Sequence, residues 1–94
     1  MRINLLARAE IEMDDSAFYY ESQSIGLGID FLSEIEHICS LISSNPQRFP
    51  KNLDGFREAP LGRFPFLIIY KFDEDDLYVA SVFHTRRNSL NKPK

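Results

Sequence analysis

The chain has 94 residues, 44% hydrophobic and 27% charged, with a formal net charge of −3. That is the length of one domain, large enough for a core without disulfide or metal staples. The longest purely apolar run, Phe66 to Tyr70, is far too short to cross a membrane, and the opening run regains charge too soon for a signal peptide. A single cysteine, Cys39, forms neither an internal disulfide nor a zinc cluster, so a reducing cytoplasm is the expected compartment.

Arg2 to Leu6 leans apolar and reads as a short edge strand. From Ala7 the period becomes helical: Ala9, Met13, Ala17 and Tyr20 share a face. Glu10, Glu12, Asp14 and Asp15 crowd the early turns, where acids suit the positive end of the helix dipole. Ser24 to Gly28 breaks this helix. A second starts near Gly28 and presents Phe31, Ile35, Ile38 and Ile42 as one stripe, widened by Leu32 and Cys39. It ends at Asn45-Pro46, because proline lacks a backbone donor and disfavours helix just before it.

Residues 46–55 form a loop, and then the period becomes two. Phe56 to Leu61 reads as a strand ended by Pro60. Phe64 to Phe72 is apolar on both faces and therefore central, with Pro65 leaving its first residues outside the paired region. Asp73 to Asp76 is a hairpin loop. Leu77 to His84 follows, with Leu77, Val79, Ser81 and Phe83 on one side and Tyr78, Ala80, Val82 and His84 on the other. Residues 88–94 read as a frayed tail on a single domain of residues 1–94. The order β-α-α-β-β-β describes an α+β domain, a helical hairpin on an antiparallel sheet.

With these segments in place the chain resembles the RelE/ParE superfamily of toxins from type II toxin–antitoxin systems. The likeness rests on Phe18-Tyr19-Tyr20-Glu21, on Gly26-Leu27-Gly28 followed by Phe31, and on Asn45-Pro46 with Phe49-Pro50. It continues through Arg57-Glu58-Ala59-Pro60-Leu61, Arg63-Phe64-Pro65-Phe66 with Ile69-Tyr70, and Val82 to Asn88, VFHTRRN. The long hairpin with its GLG turn and the HTRRN ending are closer to ParE-type members. Ser89 stands where many similar chains have proline, and no aromatic follows it.

Charge segregates along the chain. Residues 1–47 carry two basic and eight acidic residues, whereas residues 48–94 carry nine basic and six acidic ones. Such segregation points to an interaction surface. Arg86 and Arg87 are candidate binders, because guanidinium forks pair with carboxylates and phosphates. Family position implies that Arg57 and Arg63 face the same groove as these tail cations. Either arginine has a plainer reading as a bridge to Glu34 or Glu36. His84 reads as a proton carrier or as a satisfied histidine at a sheet edge. Glu58 reads as a base beside an arginine or as half of an ion pair. Tyr70 reads as core, with a hydroxyl that could reach a groove; Arg63, Tyr70, Arg86 and Arg87 are the antitoxin-contact candidates. Tyr20 is expected to pack against Phe31 and Ile35. His37 and His84, 47 positions apart, make no metal set. No cofactor, metal, membrane or sequence-specific DNA partner is expected.

The resemblance implies a toxin neutralised by a cognate antitoxin, with DNA gyrase as target and no chemistry of its own. One alternative is a RelE-like ribosome-dependent mRNA endonuclease, which would need His84 or Glu58 to move protons. Another is a non-toxic homologue that only binds antitoxin.

Overall fold

The structure, a computed structural model, describes residues 1–87. Its elements are β1 (Arg2–Leu5), α1 (Ala7–Gln23), α2 (Leu27–Ser44), β2 (Arg57–Pro60), β3 (Phe66–Phe72) and β4 (Asp76–His84). The expected tail over residues 88–94, with Asn88 and Ser89 of the familiar ending, lies outside the described residues.

The helical hairpin closes through two glycines with different tasks. Gly26 adopts φ +88, the left-handed region that a side chain rarely tolerates. Gly28 lets the helices touch: a Cβ there would lie 2.6 Å from the Ala17 carbonyl oxygen. Glu21, near the end of α1, turns back to accept the backbone N–H groups of Gly26 and Gly28 at 2.9 and 3.0 Å. Its carboxylate thereby caps the positive end of α2.

The sheet order is β1-β4-β3-β2. It is antiparallel across β2, β3 and β4, but β1 adds in parallel to β4, so the sheet is mixed where an antiparallel one was expected. Polar side chains brace that edge strand beside its backbone ladder. Arg2 and Asn4 both donate to the Asp76 carboxylate, at 2.9 and 3.0 Å, and together they hold its pKa below the usual carboxylate range, Asn4 contributing most.

The last strand departs from simple alternation. Ile69 stands opposite Ser81 and Tyr70 opposite Val79, so Ala80 is an extra residue, a bulge. Across it the parity of β4 inverts. Leu77 and Val79 before it, and Val82 and His84 after it, face Phe72, Tyr70, Ile68 and Phe66 in register. The expected alternation, which separated Val79 from His84, fails at this one residue.

Phe31, Ile35, Ile38, Cys39 and Ile42 of α2 join Ile68, Tyr70, Val79 and Val82 in one buried core. Burial raises the Cys39 thiol to about 11, which keeps it protonated and unreactive. Leu32 does not widen this core: at 39% exposure it stays open on the outer face. Among the described residues, no helix is long and apolar enough to cross a membrane.

Candidate functional site

The bulge decides where His84 goes. Its ring meets the buried Phe66 edge-on at 4.8 Å. Its Nδ1 accepts the backbone N–H of Arg86 at 3.1 Å, which sets the path of the chain leaving β4. Burial, and then the positive charges of Arg87 and Arg86, push its pKa below the ordinary value. A nitrogen that accepts a hydrogen bond carries no proton, so neutral His84 holds its proton on Nε2 and presents only a donor there.

An aromatic cluster forms the bed of this end of the molecule. Tyr20 packs against Phe31 and Phe64 at 5.2 and 5.0 Å. Arg87 lies over the Tyr19 ring at 5.9 Å and Arg63 over the Phe64 ring at 5.5 Å. The Thr85 backbone N–H donates to the Pro65 carbonyl at 2.9 Å, tying the exit of β4 to the entry of β3. Arg63, Arg86 and Arg87 therefore sit at one end of the sheet, all exposed. Phe18, beside this cluster in sequence, points outward and is 79% exposed.

Arg63 pairs with Asp30 at 3.7 Å, with both side chains more than half exposed, a loose contact of little energetic weight. Glu34, considered as its partner from sequence, instead accepts the Gly62 backbone N–H at 3.1 Å and pins the β2–β3 turn to α2.

Arg57 is not part of this group. It stands opposite Tyr70 in the ladder, four residues along β3 from the Phe66–His84 pair, about 13 Å away by strand rise. Its Nη1 donates to the Phe49 carbonyl at 2.7 Å and its guanidinium covers the Phe72 ring at 5.8 Å. The four-arginine groove is therefore three arginines, with Arg57 at the other end. Tyr70 is fully buried and its hydroxyl donates to the Pro46 carbonyl at 2.8 Å. That hydrogen bond makes Tyr70 a brace for the loop. Glu58 takes the Asn52 side-chain amide at 2.9 Å, also a loop contact.

Sequence reasoning missed Glu12. An open recess of about 190 Å³ beside His84 is lined by Glu12, Asp15, Ser16, Phe66, Val82 and Arg87 as well. Glu12 accepts the Ser81 hydroxyl at 2.6 Å and the Val82 backbone N–H at 3.1 Å, satisfying the edge of β4 that β1 leaves bare. The signal was present: Ala9, Glu12 and Ser16 follow helical spacing and point Glu12 toward the sheet.

The hairpin's outer face exposes several large apolar side chains. Phe18, Ile25 and Ile29 are 79%, 97% and 67% exposed. Phe18, Ile29 and Leu32 line an open groove of about 390 Å³, with Asp14 and Glu21 at its rim.

The family model described as "ParE toxin of type II toxin-antitoxin system, parDE" matches residues 3–89. No curated protein matches the chain in sequence. Among solved structures, a chain of the "Chromosomal ParDE TA system from P. aeruginosa" is similar with a TM-score of 0.64. It is 17% identical, over 92% of this chain and 97% of that one, a likeness of fold.

Proposed function

From the premise that the chain belongs to the family of ParE toxins of type II toxin–antitoxin systems, we propose that it arrests growth by binding its target through Arg63, Arg86 and Arg87. The target is DNA gyrase, and no bond is made or broken by the toxin itself. One observation carries this reading. The three arginines are exposed, Arg63 and Arg87 resting on the Phe64 and Tyr19 rings, while His84 beside them in sequence has its Nδ1 occupied and its pKa lowered. A general base needs a free lone pair directed at the substrate. His84 in this tautomer presents Nε2–H, a donor, and no free lone pair. Glu58, the other proton-carrier candidate, is turned to the Asn52 loop.

A cognate antitoxin silences the toxin by covering two surfaces. An amphipathic helix fits the apolar groove of the hairpin, and antitoxin carboxylates neutralise Arg86 and Arg87. Exposed isoleucine and phenylalanine on the free toxin are what such a cover would bury.

Inducible expression tests the reading. Growth arrest with filamentous cells and DNA damage is expected, and the His84→Asn variant keeps it. Immediate translation arrest with codon-positioned mRNA cuts, abolished in that variant, would sink the binding reading in favour of the ribonuclease.

A further inference from the structure

We infer that the basic recess at the Arg57 end of the sheet is a second anion site, built for a phosphate-type oxyanion. It is independent of the target-binding reading, because it shares none of its residues.

The loop of residues 46–55 folds back along β2, and Lys51 forms a bridge with Arg57. Arg57 in turn faces Tyr70 in register. Directly opposed residues share a face, so Lys51, Arg57 and Tyr70 form one row across three segments. This row and its neighbours enclose an open recess of about 410 Å³, lined also by Gln47, Lys71 and Phe72. Three of its lining residues are cations and none is a carboxylate. On a protein of net charge −3, that composition is a local inversion.

Arg57 is fixed before any ligand arrives. Its Nη1 is engaged by the Gln47 and Phe49 carbonyls at 3.3 and 2.7 Å, and the plane rests on Phe72. Its Nε is buried and has no hydrogen-bond partner among the described residues. A buried donor without an acceptor calls for a water, an ion or a ligand. Lys71 follows Tyr70 on β3 and projects to the opposite face, where its ammonium lies 4.3 Å from the centre of the Phe56 ring. Glu58, next to Arg57 in sequence, bonds Asn52. One guanidinium edge and the Lys51 ammonium match an oxyanion with several acceptor oxygens and more than one negative charge. The source is free phosphate or the phosphomonoester of a nucleotide; the shared chemistry is the phosphate.

The test is a titration of the 94-residue chain, followed by amide and arginine Nε–H resonances, at constant ionic strength. The probes are inorganic phosphate, adenosine monophosphate and a short polyglutamate peptide. Saturable shifts at Lys51, Gly55 and the Arg57 Nε–H are expected with both phosphates. Lys51→Met should weaken binding roughly tenfold, and Lys71→Met should leave it within about twofold of the parent. Lys51 is exposed, so its variant keeps the test open if an Arg57 variant fails to fold. Tighter binding of the nucleotide, with shifts on Phe72, identifies a nucleotide source; equal binding identifies free phosphate. Shifts with polyglutamate alone, or no saturable shift at these residues, would overturn the assignment.

Discussion

Replacing Glu12 by alanine should destabilise the domain through a single edge of the sheet. β1 ends at Leu5, opposite Val79, and the Leu6 backbone N–H closes the pairing on the Val79 carbonyl at 3.0 Å. Beyond that point Glu12 takes over, accepting the Ser81 hydroxyl and the Val82 N–H. Ser81 and Val82 are 0% and 1% exposed, so Glu12→Ala orphans one buried hydroxyl and one buried N–H. Each orphan costs about 1–3 kcal/mol, and water entering the adjoining open recess recovers part of it, leaving about 2–3 kcal/mol in total. For a domain of this size that lowers Tm by about 10–20 °C. Glu12→Gln keeps an acceptor oxygen at the same place and loses only charge assistance, about 1 kcal/mol. Urea unfolding at neutral pH measures both variants, and hydrogen exchange at the Val82 amide locates the effect. If Glu12→Ala unfolds within about 0.5 kcal/mol of the parent and the Val82 amide stays protected, the edge does not depend on this carboxylate.

Gly28→Ala places a methyl 2.6 Å from the Ala17 carbonyl oxygen; the helices must separate, and a loss of about 1–3 kcal/mol is expected in denaturant unfolding. Tyr70→Phe removes only the hydroxyl that holds the Pro46 carbonyl, so stability falls by about 1 kcal/mol and amide exchange quickens in residues 46–51. His84 gives a pH dependence with a defined sign. Its folded pKa is lowered from 6.5, so between that value and the folded one the unfolded chain binds more protons. Stability therefore falls as pH drops through this window and levels off below it. The difference in Tm between parent and His84→Asn, scanned from about pH 8 to pH 5, should show this slope; an equal or opposite slope refutes it.

Much of the fold was legible because the period of apolar residues is set by local geometry. Phe31, Ile35, Ile38 and Ile42 are buried as one helical stripe. Pro65 lies outside the paired part of β3, which begins at Phe66. What could not be read is what register and tertiary pairing decide. The extra residue at Ala80 flips the face of everything after it, and no composition cue marks it. The parallel pairing of β1 with β4 brings Arg2 and Asn4 to Asp76, contacts between residues 74 and 72 positions apart. The candidate site was half legible. Arg63, Arg86 and Arg87 converge because strand ends meet at one end of the sheet, whereas Arg57 belongs to the other end. Glu12 was read as a dipole-compensating acid, since helix position alone does not reveal an unpaired strand edge beside it.

Inhibition of gyrase supercoiling by the purified chain tests the central claim most directly. The parent and His84→Asn should inhibit equally, and Arg86→Gln/Arg87→Gln should lose at least about tenfold in potency with its fold intact. Full inhibition by the double arginine variant, or none by His84→Asn, would contradict binding through the arginine end.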